Sequence, residues 1–192
     1  KESVFVVKRF ILTVLCTLFI SVSPALAYNM NHFTNDFKVS DALVLLERAG
    51  ADEVFDNLQE NSVKIMFYDL SLLSYSYRYH YAINGENNMG ERYILINTRY
   101  KNCSTEEIAC LIAHESCHKA KVATLAEETI ATQTEAKYWL KLKKPNKVYN
   151  ESDLKDRLDN LAYLYSHSDK NNNKIEERIA NSDFYRSQLS LK

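Results

Sequence analysis

The chain has 192 residues, of which 46% are hydrophobic and 26% are charged, and it contains only three glycines and two prolines. This composition excludes collagen, low-complexity polymers and wholly disordered chains, and it predicts one globular domain rich in helix. The 24 lysines and arginines nearly balance the 25 aspartates and glutamates, so the formal net charge is −1. Because nucleic-acid binding needs a surplus of basic side chains to displace counterions from phosphates, we expect no nucleic-acid partner.

Residues 1–27 have the pattern of a secretory signal peptide. Basic residues precede an apolar run at 10–22, and Pro24–Ala27 then supplies the small residues that signal peptidase accepts. The apolar run is shorter than the roughly 20 residues that a transmembrane helix needs, so we expect no stable membrane anchor after cleavage. The sequence therefore predicts cleavage after Ala27 and a secreted or periplasmic mature domain of residues 28–192.

The first predicted element of the mature domain is a helical stretch from Ser40 to Gln59. Apolar residues recur there at helical spacing, and Gly50 interrupts the pattern. We expect two helices with Ser40 as the N-cap of the first. We expect these two helices to support the fold and to carry no catalytic residue.

Three β-prone segments follow. Val63–Tyr68 is a short apolar run, and tyrosines occupy every second position of Tyr75–Tyr81, which predicts a strand with one aromatic face. Arg92–Asn97 predicts another strand, and the turn-forming Asn84–Gly85 lies between it and the tyrosines. We expect an antiparallel hairpin whose aromatic face packs under a helix, with a sugar-binding platform as the alternative.

Two capping boxes, Ser104–Glu107 and Thr124–Glu127, open the next two predicted helices. We expect these helices to run to about Lys121 and Lys141. Because only a very short turn near Val122 joins them, they must pack against each other.

The chain after Pro145 predicts two more helices. Apolar residues at helical spacing mark an amphipathic helix over Leu154–Tyr165, and Asn173 with Glu176 caps a final one. We find no internal repeat, and the elements together predict a single α+β domain.

The first capped helix contains the HExxH motif His114-Glu115-Ser116-Cys117-His118. Histidines at i and i+4 project from one helical face and can hold a single zinc ion. Glu115 lies about 100° around the helix from His114, so its carboxylate can reach a water on that metal. The alternative is a pair of surface histidines on an ordinary helix, but neighbouring apolar residues favour a helix anchored in the core.

A catalytic zinc site usually has three protein ligands, and the second capped helix offers Glu127 and Glu128. Glu127 occupies the capping-box position, where its carboxylate is expected to bind backbone N–H groups. Glu128 is free to lie between His114 and His118 when the two helices fold together. We therefore select Glu128 as the third ligand, with a solvent-exposed first-turn glutamate as the alternative.

These residues resemble the zincin metallopeptidases of the gluzincin type, which carry HExxH on one helix and a glutamate followed by an alanine three positions later on the next. Here those positions are Glu128 and Ala131, and the resemblance covers about residues 92–140. It implies a zincin-like fold in which Arg92–Asn97 is the edge strand that aligns an extended peptide. It also assigns the site residues: zinc ligands His114, His118 and Glu128, with Glu115 as the general base.

The resemblance implies a zinc-dependent peptidase that acts on a peptide or protein substrate, and the predicted signal peptide makes it secreted or periplasmic. Thr132 stands where several families have an aspartate that supports a ligand histidine, and Glu135 is the available substitute. An additional group should stabilise the oxyanion. The candidates that the sequence offers are Tyr100, Tyr163, Tyr165 and His167.

Two other functions compete with the peptidase. Cys110, His114, Cys117 and His118 share one helical face and could form a soft-metal site for copper or structural zinc. A zincin-like protein that has lost catalysis and serves as a binding protein is the second alternative. The mature domain has an odd number of cysteines, and any disulfide should include Cys103.

Overall fold

The structure is a computed structural model that describes residues 28–119, 123–169, 173–183, 185 and 189. The predicted signal peptide and the predicted turn near Val122 lie outside the described residues. None of the helices formed by the described part of the chain is long and apolar enough to span a membrane.

Six α-helices and a three-stranded sheet form the described part of the domain, so the predicted α+β class is confirmed. The helices are α1 Phe37–Arg48, α2 Asp52–Glu60, α3 Thr105–Glu115, α4 Leu125–Leu142, α5 Asp153–Ser166 and α6 Lys174–Asn181. The strands are β1 Lys64–Tyr68, β2 Ala82–Glu86 and β3 Arg92–Asn97.

The sheet has the order β1-β3-β2, which differs from the predicted arrangement. β3 is the central strand, and it pairs in parallel with β1 and antiparallel with β2. The prediction that Arg92–Asn97 is an edge strand is therefore wrong, and so is the prediction of a purely antiparallel sheet. In chain order, β1 and β2 come first and do not pair with each other. β3 then lies between them and pairs with both.

The predicted tyrosine strand is also wrong. Tyr75–Tyr79 forms a 3₁₀ turn in which the Ser74 hydroxyl accepts a hydrogen bond from the Ser76 amide. The guanidinium of Arg78 lies over the rings of the first and last tyrosines of the turn, at 3.7 and 4.3 Å from their centroids. These local contacts replace the sheet partner that the alternation predicted, and β2 begins only at Ala82, so Asn84–Gly85 lies inside a strand.

The first two helices are separated at Gly50, as predicted, and this glycine has a φ of 67°. The N-cap of α1 is Asp36 and not Ser40. The Asp36 carboxylate accepts hydrogen bonds from the amides of Lys38 and Val39, which satisfies donors at the helix start.

The capping box of Ser104 and Glu107 is confirmed at the start of α3. The helix ends at Glu115, well before the predicted Lys121. Side chains donate hydrogen bonds to carbonyls at the end of the helix: the hydroxyl of Ser116 donates to Ala113 O, and the side-chain amide of Asn84 donates to Glu115 O. As a result, the second histidine of the motif lies just beyond the helix.

The later helices follow the predicted signals. The Thr124 hydroxyl caps α4, which ends at Leu142, before Pro145. Asn173 caps α6 by accepting a hydrogen bond from the Glu176 amide. These predictions held because each cap is a local side-chain contact that needs no distant partner.

Helix α3 runs through the centre of the domain, and every residue from Glu106 to Glu115 is buried. The main hydrophobic core surrounds it with residues from α1, α2, the sheet, α4 and α5. A smaller cluster of Ala136, Leu161, Ile175 and Ile179 joins α4, α5 and α6. His114 and Glu115 of the motif therefore belong to a helix that is packed on all sides.

Candidate metal centre

Three side chains from two helices and a turn meet beside the core: His114 from the end of α3, His118 just after it, and Glu128 from the first turns of α4. One ligand atom of each lies within 4.8 Å of the others. Glu128 Oε2 is 3.8 Å from His114 Nε2, and Glu128 Oε1 is 3.6 Å from His118 Nε2. The carboxylate therefore lies between the two imidazoles, where the helix pairing predicted it.

Glu135 fixes the orientation of the His114 imidazole. Its Oε2 lies 3.0 Å from His114 Nδ1, and its other oxygen pairs with the guanidinium of Arg157. Burial alone would raise the pKa of Glu135, but the charge of Arg157 and the hydrogen bond with His114 outweigh it and lower the pKa. An ionised Glu135 accepts the Nδ1 proton, so Nε2 is the nitrogen that faces Glu128. Burial opposes the charged form of His114, but the hydrogen bond with Glu135 and its charge outweigh burial and raise the pKa of His114, so a metal that binds Nε2 must displace a proton.

His118 is held in the neutral form that can bind a metal. Burial lowers its pKa to about 3, with smaller contributions from the positive charges of His114 and Arg92. Its Nδ1 has no hydrogen-bond partner among the described residues and lies 4.0 Å from Glu127 Oε2. The neutral imidazole is the form in which histidine binds a metal, and Nε2 of His118 faces the same carboxylate as Nε2 of His114.

The two first-turn glutamates of α4 have different surroundings. Glu127 Oε1 accepts a hydrogen bond of 2.7 Å from the amide of Lys119, so its carboxylate binds backbone, but that of Lys119 and not that of Thr124, the N-cap of the predicted capping box. Glu128 is buried, and its Oε2 has no hydrogen-bond partner within the part of the chain that is described. Burial raises the pKa of Glu128. A buried carboxylate oxygen without a donor is costly unless a cation satisfies it, so the three side chains fit a divalent metal.

The three candidate ligands line a cleft of about 510 Å³. Glu115 lines the same cleft, and burial raises its pKa to about 7, opposed by the charge of His114. One wall is β2, through Ala82, Ile83 and Asn84. Among the described residues β2 pairs only with β3, so β2 is the edge strand at the site, in the place that the sequence assigned to Arg92–Asn97.

Sequence reasoning missed Arg157, which neutralises Glu135 and also lines the cleft. A signal was present: Arg157 follows Leu154 by three positions and precedes Leu161 by four, which places it on the buried face of α5. A charged residue on such a face needs a buried partner, and only the fold shows that this partner is Glu135.

The candidate oxyanion-stabilising residues Tyr100, Tyr163, Tyr165 and His167 are not among the residues that line the cleft. Tyr100 is buried, and its hydroxyl donates to Asp153 at 3.1 Å. Tyr163 is exposed and packs on the ring of His167, at a centroid distance of 4.1 Å. The side chains of the cleft that can donate a proton include His80 and Tyr185.

The three cysteines that the structure describes do not take part in the metal-ligand group. The thiol of Cys117 donates to Ala113 O, and Cys110 is wholly buried, which raises the pKa of its thiol. The ligand group that the described residues form contains no cysteine, so the soft-metal alternative has no geometric support. Cys103, Cys110 and Cys117 are free, and the described chain therefore has no disulfide through Cys103.

No family model matches the chain, and comparisons with curated proteins and with solved structures found no similar protein. Function must therefore be argued from the chemistry of the site itself. That site combines two imidazole nitrogens, a carboxylate and a second glutamate of raised pKa in one cleft.

Proposed function

We propose that the protein is an exported zinc-dependent peptidase with a zincin-like fold. The observation that carries this proposal is the meeting of His114, His118 and Glu128 within 4.8 Å in a cleft that Glu115 also lines. Two imidazoles and one carboxylate are a donor set that catalytic zinc sites use, and such sites leave a further position open for water or substrate.

The three ligands are prepared for a metal by their neighbours. Glu135 accepts the Nδ1 proton of His114 and thereby directs Nε2 into the site. Burial keeps His118 neutral, and the unpartnered Oε2 of Glu128 supplies negative charge where the imidazoles converge. Bound zinc supplies Lewis acidity, which lowers the pKa of water and polarises a substrate carbonyl.

Glu115 has the properties of a general base. It lines the cleft without being one of the three converging ligands. A bound divalent cation would favour its ionised form, which can accept a proton near neutral pH. In the proposed reaction one carboxylate oxygen of Glu115 takes a proton from the attacking water as the oxygen–carbon bond forms. Glu115 then gives that proton to the amine nitrogen as the carbon–nitrogen bond of the peptide breaks.

Strand β2 is the surface that would align the substrate. It forms one wall of the cleft and, among the described residues, has a strand partner on one side only. An edge strand offers backbone N–H and C=O groups to an extended peptide, so a peptide or protein substrate suits this wall.

Metal analysis of the purified mature domain tests the metal part of the proposal. We expect about one zinc ion per chain in the wild type, because the site offers three ligands. The double variant His114→Ala with His118→Ala should lose that zinc, while the matched variant His32→Ala with His167→Ala should keep it. Metal-free wild type after growth with zinc, or full occupancy in the first double variant, would contradict the proposal.

A further inference from the structure

His118 is not fixed by helix geometry. Helix α3 ends at Glu115, and the amide of His118 makes only a long hydrogen bond of 3.3 Å to Glu115 O. In an uninterrupted helix the position of the second histidine would follow from the i, i+4 spacing. Here another part of the molecule must hold the segment that carries the second candidate ligand.

Two side chains of the sheet bind the backbone of that segment. Arg92 donates from one terminal nitrogen to His118 O at 2.8 Å and from the other to Lys119 O at 3.3 Å. Asn84 Nδ2 donates to Glu115 O at 2.8 Å. The end of α3 and the turn after it therefore depend on side chains of β2 and β3 for their carbonyl partners.

Arg92 and Asn84 also bind each other. Arg92 donates to Asn84 Oδ1 at 2.8 Å, and Asn84 lies opposite Ile94, two residues from Arg92 on β3. The two side chains are thus diagonal neighbours on one face of the sheet. Each orients the other, so the pair presents its donors to the turn as one preformed unit.

We propose that Arg92, supported by Asn84, is the positioning residue of His118 and sets the affinity of the metal site. This inference rests on the proposed metal site. By fixing the carbonyl of His118, Arg92 holds the imidazole where Nε2 is 3.6 Å from Glu128 Oε1. The planar guanidinium binds separate acceptors with separate nitrogens, which a lysine ammonium on a flexible stem does not reproduce.

Zinc affinity of the full mature protein tests the inference. Arg92→Ala should weaken zinc binding about 10- to 100-fold, the range seen when groups that orient a ligand are removed. Arg92→Lys should restore little of this loss. Arg99→Ala is the matched control, because it also removes one positive charge but lies on the surface beside Asp153, and it should leave the affinity unchanged.

A comparison of two backgrounds separates positioning from general stabilisation. If Arg92 acts through His118, Arg92→Ala should weaken zinc binding further in a His114→Ala protein and should have little effect in a His118→Ala protein. An equal loss in both backgrounds would show a merely structural role and overturn the inference. The absorption spectrum of the cobalt-loaded protein should also change in Arg92→Ala and not in Arg99→Ala.

The outcomes for the two proposals are distinct. A wild type that binds no zinc removes the metal site itself. A wild type that binds zinc with the same affinity as Arg92→Ala leaves the metal site standing and overturns only the role of Arg92. Should Arg92→Ala not fold, Asn84→Ala replaces it, with the same direction of change expected and unchanged affinity again contradicting the inference.

Discussion

At the scale of single residues, the site contrasts two neighbouring glutamates. Glu128 approaches both imidazoles, at 3.8 and 3.6 Å, whereas Glu127 comes no nearer than 4.0 Å to His118 and bonds the amide of Lys119. These two adjacent glutamates therefore have different partners. Glu128 faces the two histidines, and Glu127 binds the backbone of the segment that precedes α4.

This contrast predicts different effects of the same substitution. Glu128→Gln should weaken zinc binding by an order of magnitude or more, because a neutral amide replaces an ionised ligand. Glu127→Gln should have a much smaller effect and serves as the matched control. Titration with a competing chelator measures both affinities, and equal losses in the two variants would contradict the assignment of Glu128.

The residues of the site were predictable to the extent that their pattern is local. His114, Glu115 and His118 follow from a five-residue motif, and Glu128 follows from the pairing of two capped helices. The side chains that line the rest of the cleft come from distant segments. No local pattern shows which tyrosines face a cleft, and this is why the sequence offered Tyr100 and Tyr163 as candidates although neither lines the cleft.

At the scale of elements, the capping box is the clearest link between sequence and structure. The Ser104 hydroxyl accepts a hydrogen bond of 3.2 Å from the Glu107 amide and donates to the Glu107 carboxylate at 2.6 Å. Glu107 in turn accepts from the Ser152 hydroxyl at 2.9 Å, so the start of α3 is joined to the start of α5.

Removing this cap should lower stability without touching the site. Ser104→Ala should reduce the free energy of unfolding by about 1 kcal/mol, because donors at the helix start lose their partner. Ser71→Ala, in an exposed 3₁₀ turn, is the matched control and should change it by less than about 0.5 kcal/mol. Urea denaturation of the metal-free proteins measures both, and an unchanged midpoint in Ser104→Ala would contradict the role of the cap.

The elements differ in how far the sequence predicts them. Helix starts with caps were predicted at Ser104, Thr124 and Asn173 because the signal and its effect lie within one turn. The end of α3 was wrong because it depends on Asn84, a side chain from another element. The strand predicted from the alternating tyrosines was wrong for a related reason. The Arg78 guanidinium packs on the Tyr75 ring within the turn, and an alternating pattern alone does not require a strand.

At the scale of the whole molecule, the predicted export signal makes a further prediction about the mature end. Tyr28 packs its ring on Phe55 at a centroid distance of 4.0 Å, and its backbone nitrogen lies 2.8 Å from Glu47 Oε1. Cleavage after Ala27 would turn that nitrogen into an ammonium group facing a carboxylate, an ion pair that tolerates the new terminus.

N-terminal sequencing of the exported protein should therefore begin at Tyr28. A variant with Ala25 and Ala27 replaced by bulky residues should accumulate uncleaved, since signal peptidase accepts small residues at these positions. Recovery of the intact wild-type chain from the cytosol, with none exported, would contradict the prediction.

The central claim, that the molecule is a hydrolase and not only a metal-binding protein, is tested most directly by cleavage of a broad peptide panel with zinc-loaded wild type and Glu115→Gln. The wild type should cleave, and Glu115→Gln should retain zinc while cleaving about 10² to 10⁴ times more slowly, because it lacks the group that accepts the proton. A folded, zinc-loaded wild type that cleaves no peptide, or a Glu115→Gln variant as fast as wild type, would contradict the account.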